Sequence, residues 1–494
     1  MRFTLLTLLL LATACNKTLA DRPPLPGRLY YPTGVAFVPP ADGGVGRIYA
    51  ASSNFDRRFS NGWVTSIDLS MVTDQLGRTV PPPGVPIPPP DGGSDQGRPV
   101  QFTNLATDAG SLVETESFAG IVTVDLLHNQ LFVPTRSAGE LDQLAVMDVT
   151  PDGGPAMRCF FSGGSNCTLD AILVALAQTP GDVGYPAAPQ PYSVTVAPPV
   201  VQPDGGVLPR GEIYLTSLRP ASSPAQSTQN LQNYLVTLRQ EDLQAARAAY
   251  PTRGAYVPPN SAYIPIGRGS SNSAAVDETD AFLYVSGRVR FNSADPDVLL
   301  RIVERESKLV AFPQLELVWA SVEARGIQLR PSTLTRPARL YLAVQSPAAL
   351  LVVDVGRPVA SGLPPILTLV RAVPLPEGPN DVQLIVRPGE QSPLVAITCY
   401  IDGSVVFYDD DLGQIGALVP GVGALPFAMA IDGRGPDWAR VYVSTFGDGR
   451  IAMIDVPLSP TIGSQRFSPR LIGHLGTKQY CLVATDQSNC VDTF

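Results

Sequence analysis

Ala338-Arg-Leu-Tyr-Leu-Ala-Val344 followed by Leu351-Val-Val-Asp-Val355, and its near copy Ala439-Arg-Val-Tyr-Val-Ser444 followed by Ile451-Ala-Met-Ile-Asp-Val456, set the architecture of this chain. Each stretch is short, apolar and rich in branched and aromatic residues, the chemistry of a strand on a pleated surface. Each pair reads as the second and third strands of a small sheet. Candidate first strands lie upstream of every copy: Gly34–Val38, Gly120–Val124, Ser193–Ala197, Ser273–Val276, Gly326–Leu329, Asp381–Ile385 and Phe427–Ile431. Second strands begin near Ile48, Leu131, Ile213, Leu283, Leu340, Leu394 and Val441.

One such unit cannot bury both of its faces. Units stacked around an axis bury each other and leave few open edges. The fold class is therefore all-β, a seven-bladed β-propeller, with eight blades as the alternative. A bare unit takes roughly 40–45 residues. The last units are close to that, whereas the first four blades carry long loop insertions. The 494 residues are read as one decorated domain, not the three that length alone implies. Strand-like pieces at Arg28–Tyr31 and Tyr480–Ala484 lead to the expectation that the two termini complete or flank one sheet.

The insertions read as turns and connectors. Asp-Gly-Gly recurs at Asp42, Asp91, Asp152 and Asp204, a turn sequence in which Asp bonds its own backbone and Gly supplies positive φ. Calcium would need six to eight oxygens, and each turn offers one carboxylate. The run Pro81–Pro90 is extended, because proline fixes φ and removes a donor, and is read as a solvated connector. Short helices are expected at Leu169–Gln178 and Gln240–Tyr250.

The N-terminus carries an address. Arg2 precedes the apolar run Leu5–Ala12, and Thr13-Ala14-Cys15 follows, an export pattern too short to span a bilayer. Small residues ending on a Cys resemble the bacterial lipobox, with Ala12 where Leu is usual. The resemblance implies that residues 1–14 are a signal peptide and that Cys15 is the lipidated first residue, anchored to membrane by several acyl chains. Ordinary secretion and an uncleaved anchor are the alternatives. Asn16, where Asp would mark inner-membrane retention, points to the outer membrane of a bacterial envelope. A linker over 15–27, the propeller over 28–475 and a tail over 476–494 complete the division.

The other cysteines fit an oxidising compartment. Cys159 with Cys167, and Cys481 with Cys490, are spaced for local disulfides, and Cys399 is read as a buried small hydrophobe. No CxxC and only two histidines speak against zinc, and no metal or cofactor is expected. A net charge of −9 speaks against a nucleic-acid partner. His128 and His474 are read as surface or edge residues, and Tyr408-Asp-Asp-Asp411 as a solvated turn. No catalytic residue is assigned, because the chain has no nucleophile elbow, phosphate loop or paired-histidine motif.

One pattern bears on binding. In a propeller the loops between second and third strands open on the same face as the links between blades. Those loops hold Asn54, Arg57, Arg58, Arg136, Arg219, Arg288 and Arg290 in the first four blades. They make a candidate rim for an anionic ligand, a glycan or a protein, with arginine supplying forked donors. Solubilisation of long loops is the competing explanation. The later loops offer Gln345, Tyr400, Asp402, Phe446 and Asp448, so the rim is polarised.

The alternation of "Leu-Tyr-Val" strands with Ile67-Asp-Leu69, Met147-Asp-Val149, Val353-Asp-Val355 and Ile454-Asp-Val456 resembles the YVTN-type propeller repeat, and is similar to YncE-like and lactonase-like seven-bladed propellers. The resemblance spans residues 28 to 475. Units three and four depart from it with Val236-Thr-Leu238 and Leu300-Arg-Ile302. It implies the fold. Lactonase-like relatives use a polar, metal- or histidine-bearing centre, and no residue here maps onto one. The expectation is a lipid-anchored envelope propeller acting as a non-enzymatic binding or scaffold module. The alternatives are a lactonase-like or cofactor-using enzyme, and an envelope assembly factor working through protein contacts.

Overall fold

Each repeat forms a sheet of antiparallel strands in chain order, the first innermost. The computed structural model describes residues 28–481 apart from 41–43, 56–60, 88–98, 106–111, 137–141, 151–156, 175–189, 202–206, 209, 219–231, 254, 278–280, 290–297, 313–322, 357–362, 390–391 and 459–466, together with 490–491. Seven sheets arranged as blades make a β-propeller. The inner strands are Pro32–Val38, Thr123–Asp125, Pro191–Val196, Ser270–Val276, Glu323–Arg330, Pro379–Ile385 and Pro426–Asp432. They correspond to the first strands read from the sequence. The core lies between blades: one cluster joins Val35, Phe37 and Ile48 of blade one to Ala428, Tyr442 and Met453 of blade seven.

The Asp of the repeat has a structural cause. In blades one, five and seven it stands opposite an Arg at the start of the second strand, in the registers Arg47↔Asp68, Arg339↔Asp354 and Arg440↔Asp455. The pairs close at 2.9, 2.6 and 2.7 Å. Cross-strand opposite charges are the sheet counterpart of helical i,i+4 pairs. In blade two Gln130 faces Asp148, and the cation comes instead from Arg247 of the helix Gln240–Arg253, at 2.7 Å.

The Ala or Ser after the "Tyr-Val" of the second strand also has a cause. Inner strands of blades three, four, six and seven are bulged near their start, and a hydroxyl of the second strand sits in the bulge. Thr216, Ser286, Thr398 and Ser444 accept the N–H groups of Ser193, Ser273, Asp381 and Ala428 at 2.9 to 3.3 Å. Bulges re-aim side chains, here those of the residues just before, towards the axis. Small residues let adjacent inner strands close up: a side chain at Gly326 would run into the backbone of Asn380 and Val382 in blade six.

Ring closure departs from the sequence expectation. Among the described residues the termini do not build a shared sheet; blades one and seven each take all their consecutive strands from one end of the chain. Closure comes from the insertion of blade one. Its Val100–Phe102 runs parallel to Arg470–Leu475 and becomes a fifth strand of blade seven. The described part of the proline run, residues 81–87, is tethered there and not a free connector, while the rest of the run lies outside the described residues. Arg440, buried with Asp455, donates to the carbonyls of Pro81 at 2.6 Å and Pro82 at 3.1 Å. The N–H of Gly84 reaches Asp455 at 2.8 Å, and Gly84 lies on the Trp438 ring. This added layer also corrects the edge assignment of His474, which is buried. Burial, then Arg450, lowers its pKa to about 4. The termini still meet, because Gln479 donates to the Leu29 carbonyl at 2.6 Å.

Other expectations divide. Gln240–Arg253 is helical as expected, and its Gln240 and Arg247 tie blade three to blade two. Leu169–Gln178 is not a helix over its described part: Ile172–Leu173 pairs with Gln143 and Leu144, completing the outer edge of blade two. The nearby Cys159–Cys167 disulfide is formed, and Cys399 is free and buried. Backbone pairing sets Cys481 opposite Cys490. The turn at Asp409–Asp411 is not simply solvated, because Arg387 bonds Asp409 and Asp411 while Arg339 bonds the buried Asp410. His128 is part-exposed and lies 2.6 Å from Asp125. The Asp-Gly-Gly turns at Asp42, Asp91, Asp152 and Asp204, and the N-terminus with Cys15, fall outside the described residues.

Candidate functional site

The bulges bring one residue from each of several blades to the mouth of the central channel, on the face of the inter-blade links. These are Tyr192, Asn272, Arg325 and Asn380, each just before the small or polar residue with which a first strand is read to begin, and Phe427, the first residue of the seventh. Blade three and blade seven lie on opposite sides of the ring, yet the Tyr192 and Phe427 rings meet edge to face, centroids 6.4 Å apart. The mouth is therefore closed down to a polar-aromatic cup.

A layer of rings surrounds it. Phe446 packs on Tyr31 (5.1 Å), Phe55 (5.5 Å) and Phe427 (6.3 Å), Phe55 on Phe118 (5.8 Å), and Tyr400 on Phe427 (6.3 Å). Phe55 is half exposed. Tyr31 (φ 49°), Phe118 (φ 56°) and Leu425 (φ 56°) hold left-handed backbone immediately before or beside the entering inner strands. For bulky residues that costs about 1–2 kcal/mol each. Strain kept at equivalent links marks a surface that the fold maintains against local preference.

Charge is concentrated in the cup. Burial raises the Tyr192 phenol pKa; Arg325 and then Arg136 act against this, and Asp381 adds to it. Arg136 sits over the Tyr192 ring at 6.0 Å. Glu323 accepts from Arg325 at 3.4 Å and from Asn272 at 3.1 Å. Burial pushes the Asp381 carboxyl up to about 7, opposed by N–H donors. A carboxyl titrating near neutrality suits proton transfer. Here, however, its oxygens receive the N–H groups of Met429 at 2.8 Å and Val382 at 2.9 Å, which ties blade six to blade seven.

The arginine rim read from sequence is brought together only in part. Arg136 reaches the cup. Arg288 lies opposite Ser270 at the edge of blade four, half-buried. Asn54 is buried, and its amide donates to Ser117 at 3.1 Å. Arg57, Arg58, Arg219 and Arg290 lie outside the described residues. Of the later loops, Tyr400 and Phe446 join the aromatic layer, Gln345 donates to the Pro379 carbonyl, and Asp448 is buried against Arg450. Tyr192, Asn272, Arg325 and Phe427 were not singled out by sequence reasoning. The signal lay one residue upstream of the third, fourth and fifth first strands and at the first residue of the seventh, a column visible only when the repeats are aligned on their bulges.

Among the described residues no group of three or more His, Cys, Asp or Glu side chains is placed to hold a metal ion, and no helix is long and apolar enough to cross a membrane. A second concavity of about 650 Å³ opens between blades three and four on the opposite face, with Glu212, Arg239, Glu304, Arg305 and Lys308 in its wall. Its charges are largely consumed internally: Arg305 pairs with Glu212, and Lys308 donates to the Ser261 carbonyl at 2.5 Å.

No family model and no curated protein matches the chain. Solved structures do. The outer coat vertex of COPII on membranes superposes with a TM-score of 0.50 at 9% identity, over 91% of this chain and 89% of that one. Hydrazine synthase of Kuenenia stuttgartiensis gives 0.49 at 10% identity, over 90% and 99%. The periplasmic gluconolactonase of Pseudomonas aeruginosa gives 0.44 at 15%, over 84% and 88%. Identities this low speak to fold and not to activity. The chain is a seven-bladed β-propeller whose channel mouth is a strained, aromatic and arginine-bearing cup.

Proposed function

We propose that this protein is a lipid-anchored component of a bacterial envelope and acts as a non-enzymatic binding module, with the link face of the propeller as its receiving surface. The observation that carries the reading is the cup itself. Residues from several blades converge there by bulges, and left-handed links hold Tyr31 and Phe118 in the surrounding ring layer. Aromatic rings beside a few convergent polar groups are the usual make-up of a recognition site. The carboxyl with the most catalytic character, Asp381, is engaged in joining blades. Anchoring rests on the sequence around Cys15.

Two measurements test the two halves. Intact mass and detergent partitioning of the protein and a Cys15→Ala variant test the anchor: acyl mass and detergent partitioning in the first alone are expected, and identical behaviour refutes it. A photo-crosslinking side chain placed at Phe55 on the link face, compared with one at Leu127 on the opposite face, tests the surface in intact envelopes. Discrete adducts from the Phe55 position alone are expected. Adducts from Leu127 alone, or none from either, refute the binding face.

A further inference from the structure

We propose that the strand closing the ring, Val100–Phe102, is a latch released by acid, and that His474 is the group that senses the proton. The strand is three residues long and pairs in parallel with Gly473, His474 and Leu475. Its middle side chain, Gln101, is set between two groups of blade seven. Oε1 of Gln101 accepts from Arg450 at 2.9 Å, and its Nε2 lies 3.2 Å from Nδ1 of His474. Arginine can only donate, so the amide cannot turn over. On its other side the imidazole lies with Nε2 at 2.8 Å from the Val422 carbonyl. A carbonyl can only accept, so Nε2 carries the hydrogen and Nδ1 is the acceptor for Gln101. The partners thus assign one neutral tautomer.

A proton taken up at Nδ1 turns this acceptor into a donor that faces the amide donor of Gln101. The hydrogen bond is lost and two N–H groups oppose each other. The charged groups around the ring do not favour the added charge. Arg450 and Lys478 oppose it, and Asp448, which favours it, is already paired with Arg450. The closing strand presents the neutral Gln101, and the link after blade six presents the Val422 carbonyl. Withdrawal of Gln101 separates the two donors and lets water reach the imidazolium. Gln101 is itself exposed, so the contact lies within reach of bulk protons.

The sign follows from linkage. With the latch closed, burial and then Arg450 hold His474 down to about 4, and with it open the imidazole returns towards its ordinary 6.5. The open form therefore binds the proton more tightly. Closure is strongest above about pH 6.5, weakens as pH falls towards about 4, and changes no further below that. The full interval sets a ceiling of about 300-fold on the gain in opening. The earlier part of the insertion is pinned without this histidine, since Arg440 holds Pro81 and Pro82, and Asp455 takes the N–H of Gly84. Acid at His474 thus frees the strand and leaves those pins closed.

The test is amide hydrogen exchange of the full-length protein in detergent, read as protection factors so that the intrinsic pH dependence of exchange is removed. Protection of Val100–Phe102 is expected to fall at least about tenfold from about pH 7 to about pH 4.5, with Gly84 little changed. His474→Gln keeps an amide donor for Val422 and cannot take the proton, so its protection should stay level over this range. Gln101→Glu should reverse the sign, because a carboxylate accepts from Arg450 and from a protonated Nδ1 alike. The chain has two histidines, so isotope-labelled histidine gives a readable titration by NMR, with the His474 signal identified by its loss in His474→Gln. His474 should titrate well below its ordinary value in the native protein and higher in Gln101→Glu. Should His474→Gln fail to fold, Gln101→Glu and the native titration still decide. Equal loss of protection at Gly84, an acid loss that persists in His474→Gln or is unchanged in Gln101→Glu, or an ordinary titration of His474 overturns the proposal.

Discussion

Arg440→Met should cost several times what the same change costs at Arg47, although both arginines occupy the same place in their repeats and each faces the Asp of its own repeat. Burial makes the difference. The Arg440–Asp455 pair is 1% and 0% exposed, whereas Arg47–Asp68 is 14% and 22% exposed. Removing one member of a fully buried pair leaves an uncompensated charge and costs about 3–5 kcal/mol. A pair in contact with water is worth about 1 kcal/mol. Arg440 also holds the carbonyls of Pro81 and Pro82, so its loss frees the insertion that closes the ring. Urea denaturation of the native protein and both variants measures the difference, read as midpoint shifts at unchanged slope. Hydrogen exchange at Gly84, whose N–H bonds Asp455, reports the release of the insertion. Pairing Arg440→Met with Asp455→Leu should recover much of the loss, because apolar replacement of a whole buried pair is often neutral. The reasoning fails if the Arg440 and Arg47 variants fall within about 1 kcal/mol of each other, or if the double variant is as unstable as the single one.

Further outcomes follow from other contacts. Gly473→Ala places a methyl against the Val100 carbonyl, so it should lose about 1–3 kcal/mol and speed amide exchange in Val100–Phe102 selectively; unchanged exchange there would show that the fifth strand is not a closure element. Ser444→Ala strips the buried Ala428 N–H of its acceptor at 3.0 Å and should cost about 1–3 kcal/mol in thermal or urea unfolding, against a negligible effect if the bulge hydroxyl is dispensable. Asp381, raised to about 7, favours the folded state most when protonated. Its contribution is therefore best below about pH 4, declines as pH rises towards 7, and is constant above that. Asp381→Asn should flatten this window, but its single amide oxygen replaces only one of the two acceptors that Val382 and Met429 use, so the orphaned N–H should cost about 1–3 kcal/mol at low pH. A variant with the native pH profile would show that the carboxyl is not held neutral.

The blades were legible because strand pairing within a blade is local. Inner and second strands are separated by short turns, and the branched, aromatic runs state their period directly. The Asp of "Val-Asp-Val" and the Arg of "Arg-Val-Tyr" could both be quoted from the sequence, yet their pairing became evident only from the register Arg440↔Asp455. Helix Gln240–Arg253 was legible from its run of helix formers. Of the helix expected over Leu169–Gln178, the described part, residues 169–174, is not helical because Ile172 and Leu173 pair with blade two, and tertiary pairing overrode a weak local preference.

Sequence alone carried the number of repeats, the order of strands in each and the all-β class, since these depend on side-chain chemistry within short stretches. Closure and the cup belong to the tertiary structure. Val100 meets Gly473, and Tyr192 meets Phe427, across separations that no local pattern encodes. The residues of the cup are aimed by bulges, and a bulge depends on which hydroxyl of a neighbouring strand fills it. Curvature around a closed ring brings blades three, five and seven to one point, and that convergence is a property of the ring and of none of its repeats.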